Sequence, residues 1–433
     1  MLEGKTVKRI FLAGLFVSSL CFVEPAYADL QATITARQKV FGVEHIDPKT
    51  GDLPKDKVLF SWISNSTFAA AIEGRIIYLD TYVTRLEVES GRTPIVIKDM
   101  VDLAPQSILL GHGHGDHADN AAYIAGKTGA RIYATAETCG VMVQDLQRMQ
   151  NDPAIMNDAV AKLDSSAKID CVSVTSAGST PGTEILQLDV LEPNACVIAF
   201  RHLHSVAVPP DTSFPPTPVK IILDPRDAEL FPKGVALTPD EKAPSPATGQ
   251  MNLETAGKPG GGESLFFSFI LRSGSHFSFV WHNSAGALKE GKGQGWDGTP
   301  EDGRRIVAIL KALPPTDLHM GTASSGNFTN NGLRDLIQYQ EALKPKIYIP
   351  NHLTTGTATR EASSMSVYAG YLKQLDLMNM PREQRPVVRW LIDPTDYLKP
   401  IVFDTADAIW ENPKKAGLID HLCKQPGGEV HFD

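Results

Sequence analysis

Ile108-Leu109-Leu110-Gly111-His112-Gly113-His114-Gly115-Asp116-His117-Ala118-Asp119-Asn120 is the stretch on which the reading of this chain turns. Three histidines and an aspartate fall within six residues, after a short apolar run and before a segment of helical character. Imidazole nitrogens and carboxylates ligate zinc and neighbouring divalent metals. On extended backbone, residues i and i+2 point the same way, so His112 and His114 are placed to grip one ion together. Asp116 and His117 stand where the chain turns into the helix, facing a second ion about 3.5–4 Å away. Gly111, Gly113 and Gly115 leave the backbone free to take a tight path between ligands.

Working outward, the segments 59–63, 68–72 and 75–79 read as strands, the last ending on Asp80, with a helix between them and the apolar run 107–110. Downstream, 118–129 reads as a helix stopped by Gly129, followed by a strand at 131–134 and a second helix through 138–150. Strands alternating with helices imply a layered α/β domain. A second strand-rich half follows, with strands at 172–174, 185–191 and 196–204. Residues 264–271 and 276–281 flank Arg272-Ser273-Gly274-Ser275 as a hairpin. A helix at 301–312, a strand near Leu318, a helix at 332–343 and a strand at 346–349 complete the pattern.

Between the halves, residues 206–262 change character: Pro209-Pro210, Pro215-Pro216 and Gly260-Gly261-Gly262 mark a loop-rich insertion with one strand at 219–223. Loops of that length are functional or disordered, and a wall or lid over the site is the expectation. From about residue 360 the patterning is mixed and reads as a C-terminal extension.

The His-x-His-x-Asp-His order of His112 to His117 resembles the signature of the metallo-β-lactamase superfamily. The resemblance runs from about residue 58 to 355. The strand ending at Asp80 resembles the family's early strand whose aspartate supports the metal loop. Lys346-Ile347-Tyr348-Ile349-Pro350-Asn351-His352 resembles the last strand, which ends in a ligand histidine. The resemblance implies a four-layer αββα sandwich with metals where the loops of both halves meet. It also implies a first ion on His112, His114 and His204, and a second on Asp116, His117 and His352. His202 shares a face with His204 and is the alternative ligand or a supporting group.

The pattern is broken at Val280-Trp281-His282-Asn283-Ser284. Most hydrolases of the family carry Gly-Asp there, and that aspartate bridges the two ions. Asn283 has no charge to do so, which implies a weaker second ion or a single-metal site, with His282 as a substitute ligand. Some metallo-β-lactamases also lack the bridge and rely on equivalents of Asp116, His117 and His352. His45, His276, His319, His421 and His431 lack a matching context and are read as structural or exposed.

Composition narrows the function. Lys5, Lys8 and Arg9, the apolar stretch 10–23 and Ala26-Tyr27-Ala28 read as a signal peptide over 1–28, cleaved before Asp29. The apolar stretch falls short of the ~20 residues a membrane span needs. A periplasmic or secreted protein without a membrane anchor is the expectation. The net charge is −9 with no basic run outside the leader, which excludes nucleic acid as a natural partner and favours small-molecule substrates. Cys139, Cys171, Cys196 and Cys423 match no zinc-knuckle spacing; in an exported chain they favour one or two disulfides, against buried free thiols. The sequence thus points to an exported hydrolase using one or two zinc ions, with manganese or iron as other candidates. Asp116 would be the catalytic carboxylate on an ester, lactone or phosphodiester. A β-lactam amide is the alternative substrate, and a non-catalytic metal-binding protein the alternative class. There is no Gly-x-Ser-x-Gly elbow.

Overall fold

The computed structural model describes residues 29–83, 95–151, 163–206, 263–324, 333–352, 364–391 and 396–432. The expected leader and nearly all of the expected insertion, including the strand read at 219–223, lie outside the described residues.

The first sheet contains β1 (Lys57–Ser64), β2 (Thr67–Ile72), β3 (Arg75–Leu79), β4 (Ser107–Leu109), β5 (Arg131–Thr135) and β6 (Cys171–Thr175). The second contains β7 (Ile185–Leu188), β8 (Ala195–His202), β9 (Ser264–Leu271) and β10 (Ser278–Trp281). After a small ribbon, β11 (Lys292–Gly293) with β12 (Trp296–Asp297), it continues with β13 (Leu318–Thr322), β14 (Ile347–Asn351) and β15 (Val387–Val388). A last strand, β16 (Ile401–Asp404), returns to the first sheet. Among the described residues the orders are β16-β1-β2-β3-β4-β5-β6 and β15-β14-β13-β10-β9-β8-β7. Each sheet is antiparallel on one side and parallel on the other, the change falling at β3/β4 and at β9/β10/β13.

The period-2 alternation of β8 and β9 shows how the layers stack. Val197, Ala199, Phe267 and Phe269 point into the core shared with the first sheet. Ile198, Phe200, Phe266 and Ile270 point instead to a second core under the helices. Helices α1 (Leu30–Phe41), α2 (Ile97–Asp102), α4 (Ala121–Thr128) and α5 (Ala136–Asn151) cover the first sheet. Helices α6 (Pro300–Ala312), α7 (Arg334–Leu343), α8 (Ser364–Leu377) and α9 (Pro413–Leu422) cover the second. The architecture is an αββα sandwich.

One expected element is divided. The helix read over 118–129 is a single turn, α3 (Gly115–Ala118), followed by α4. Asn120 separates them at φ 73°, a left-handed geometry that asparagine tolerates, and its amide donates to the Thr81 carbonyl at 3.2 Å. The segment from residue 360 completes both sheets: β16 pairs with β1 and β15 with β14. The four cysteines form two disulfides, Cys139–Cys171 between α5 and β6, and Cys196–Cys423 between β8 and the end of α9.

Candidate metal centre

β3 and β4 run parallel, so both deliver their C-terminal ends to one edge of the first sheet. There Asp80 takes φ 59° and turns its fully buried carboxylate under the motif loop. Its Oδ1 accepts from the Gly111 amide at 3.0 Å, and its Oδ2 from the Ser66 hydroxyl, His117 Nδ1 and the Asn283 amide, each at 2.7 Å. One carboxylate therefore fixes the start of the loop, the tautomer of His117 and the orientation of Asn283. Gly111 has to be glycine for this to close, because a Cβ there would lie 2.2 Å from Asn283 Nδ2.

Potential ligand atoms of His112, His114 and His204 lie within 4.8 Å of one another, and so do those of His112, Asp116 and His117. His352, at the end of β14, brings Nε2 to 3.3 Å from Asp116 Oδ2, while His117 Nε2 is 3.4 Å from that same oxygen. The structure thus brings together His112, His114, Asp116, His117, His204 and His352.

The hydrogen bonds assign the tautomers. His112 Nδ1 donates to Asn283 Oδ1 at 2.8 Å and His204 Nδ1 to the Ser205 carbonyl at 2.7 Å. Both Nε2 atoms therefore carry bare lone pairs, and they face each other at 3.3 Å. His117 Nδ1 donates to Asp80, and its Nε2 faces Asp116 Oδ2 at 3.4 Å; burial lowers the His117 pKa, but Asp116 and Asp80 outweigh it and raise it above the usual imidazole value. The two Nε2 acceptors of His112 and His204 repel inside a protein unless a cation lies between them, so this donor set fits a divalent ion; Asp116 and His117 add a carboxylate and an imidazole of the kind such ions take. Burial, then the neighbouring His117, His204 and His114, hold His112 well below the usual imidazole range. Burial followed by His114 pushes His204 down to about 3. These ligands are neutral and ready at physiological pH. Burial pushes Asp116 up, but His117, His352 and His114 outweigh it and leave the carboxyl well below the usual carboxylate range.

His202 and His282 stand elsewhere. His202 is the last residue of β8 and lies two residues before His204, but it is buried toward the helices, with Nδ1 3.0 Å from the Tyr339 hydroxyl. His282 lies stacked with Phe266 and Tyr339, ring centroids 5.3 and 5.1 Å away. Its Nδ1 donates to the Ser284 carbonyl, so its Nε2 accepts from Nε2 of His319 at 2.7 Å. That pair is an ordinary hydrogen bond in an apolar layer, and His282 is not placed to replace a bridging ligand. Asn283 ties His112 to Asp80 and leaves no charge between the two groups. Ser66 is the partner that sequence reading missed; a serine in a hairpin turn carries no local mark of such a role.

No family model matches the sequence. A metal-dependent hydrolase of Thermodesulfovibrio yellowstonii is 34% identical over 76 residues, which are 17% of this chain and 27% of that protein. The chain thus spans about a quarter of the length of the curated relative it matches. Among solved structures, Igni18, a metallo hydrolase from the archaeon Ignicoccus hospitalis, is 12% identical at TM-score 0.39, covering 80% of this chain and 98% of that one. The metallo-β-lactamase fold protein YhfI from Bacillus subtilis is 9% identical at TM-score 0.37, covering 81% and 99%. An isothiocyanate hydrolase from Delia radicum gut bacteria is 10% identical at TM-score 0.41, covering 80% and 99%. The chain itself is an αββα sandwich, the architecture that the resemblance implied. Its own sheets carry that statement: two facing mixed sheets, with the His-x-His-x-Asp-His loop at their common edge.

Proposed function

We propose that this chain is an exported metal-dependent hydrolase acting on a small ester, lactone or phosphodiester. Zinc is the first candidate metal, with manganese and iron as the others, at one or two ions per chain. The observation that carries the reading is the pair of facing acceptors His112 Nε2 and His204 Nε2, with the donor atoms of His112, Asp116 and His117 gathered beside them. A divalent ion bound there supplies Lewis acidity and makes water a nucleophile near neutral pH.

The chain's own residues do the rest. His112, His114 and His204 form one cradle; Asp116, His117 and His352 form the other. Asp80 and Asn283 hold the Nδ1 protons of His117 and His112, which keeps the Nε2 lone pairs aimed inward. The Asp116 side chain is half-exposed at 45% and ionised, and the contacts above all fall on Oδ2. Its Oδ1 is open to take a proton from the attacking water and return it to the leaving group. A β-lactam amide is the second substrate class, because Asn283 leaves the two cradles without a bridging charge. Export is supported by the leader and by two disulfides, which persist in oxidising compartments. No helix among the described residues is long and apolar enough to cross a membrane.

Elemental mass spectrometry of protein recovered from an exporting host, with its intact mass, tests the core of this reading. One or two equivalents of metal and a mass beginning at Asp29 are expected. Absence of metal after reconstitution would defeat it. A panel of lactone, phosphodiester and β-lactam substrates then identifies the class. Asp116→Asn should lower kcat by about 10²–10⁴-fold in a folded protein; full turnover in that variant would remove Asp116 from the chemistry.

A further inference from the structure

The turn between β1 and β2 places Asn65 beside the second cradle, at φ 46° and buried. Its Nδ2 donates to the Asp116 backbone carbonyl at 2.9 Å and to Asp116 Oδ2 at 3.2 Å. Its own carbonyl accepts from the His352 amide at 3.2 Å and from Trp62 Nε1 at 3.0 Å. One residue thus reaches two ligands that come from opposite sheets.

We propose that Asn65 is a positioning residue for the second ion: its amide and carbonyl hold Asp116 and His352 in register. This rests on the metal reading above. Asp116 sits on a single helical turn with its side chain half-exposed, so little else restrains it. Its other close partners are His117 and His352, which are themselves ligands. Asn65 is the donor that selects Oδ2 as the oxygen facing them. A ligand carboxylate needs such a tie to be held in a binding geometry.

A second observation separates this role from that of a simple turn residue. Asn65 Oδ1 is buried and has no hydrogen-bond partner among the described residues. An unpaired buried acceptor works against folding, so the turn gains nothing from Oδ1 itself. Beside an open carboxylate, that oxygen is placed to accept from a water brought in with the ion. If Asn65 served only the left-handed turn, glycine would serve equally well.

Asn65→Gly is therefore the decisive variant. Apo-protein and variant are titrated with cobalt(II) alone, following its visible absorption and the thermal midpoint. Wild type should take up two equivalents. The variant should keep its thermal midpoint and first-equivalent affinity, while the second weakens about 10–100-fold and its absorption band changes. If the glycine variant does not fold, Asn65→Ala takes its place with the same expectation. Unchanged binding of the second equivalent overturns the role of Asn65 and leaves the metal reading intact. A single equivalent in wild type overturns it too, leaving a mononuclear centre. No cobalt uptake by wild type overturns the metal reading itself.

Discussion

Asn283 shows how a single atom decides what a site can tolerate. Its Nδ2 donates to Asp80 Oδ2 at 2.7 Å, inside a fully buried network. Restoring the family's usual residue with Asn283→Asp would set two carboxylates at hydrogen-bonding distance without a donor between them. We expect the apo-protein to lose about 2–4 kcal/mol, since a buried charge left against a like charge is costly. Urea unfolding at neutral pH measures this, and unchanged stability would show that the network relaxes. The residues that the structure gathers at the candidate centre were legible in the sequence because His and Asp rarely crowd together without a metal. Ser66, Asn65 and the inward role of Asn283 were not legible, because serine and asparagine are common in turns. Their partners come from strands far away in the chain. His202 and His204 looked equivalent by alternation; only the exit of the chain from β8 turns His204 toward His112.

At the scale of elements, strands bounded by turn residues were readable, whereas the break before α4 was not. Ala118, Ala121, Ala122 and Ala125 continue an apolar face across it at helical spacing, and the left-handed conformation of Asn120 interrupts the helix. β15 and β16 are two and four residues long, too short for a period to show. The layer between β10, β13 and α7 has a consequence for acid stability. Burial pushes His282 down to about 4, and burial with His282 nearby holds His202 and His319 well below the usual range. The unfolded chain takes up these protons near 6.5. Stability from this layer is therefore complete above about pH 6.5 and falls as pH drops toward 4, by about 1.4 kcal/mol per pH unit for each group. His319→Gln should make the slope shallower by one proton in chelator-treated protein. An identical slope would show that His319 is already protonated in the fold.

On the scale of the whole molecule, the chain beyond residue 400 is locked to the second sheet by a buried ion pair. Lys415 and Asp317 are 0% and 1% exposed, and Lys415 also donates to the Trp410 carbonyl at 2.9 Å. Asp317 meanwhile accepts from the Ser278 amide at 2.9 Å and pairs with Lys346 at 2.9 Å. Lys415→Met should cost about 3 kcal/mol, because Lys346 keeps only part of the Asp317 charge compensated. Adding Asp317→Asn should recover some of that loss, and a double-mutant cycle by thermal unfolding measures the coupling.

The two disulfides also bear on how the protein matures. Cys139 joins Cys171 and Cys196 joins Cys423, so in chain order the first pairs with the second and the third with the fourth. If the chain is exported as proposed, an oxidase meeting the mature part as it emerges would create these bonds simply by joining cysteines in order of arrival. Cys423 follows every residue of both cradles in the chain. The second bond therefore closes only once His204, Asn283 and His352 have all been delivered, and it seals a half-molecule that already holds its ligands. Under the proposed export, Cys21 would arrive first and compete for Cys139, so the proposed cleavage before Asp29 would also take a rival thiol out of the chain.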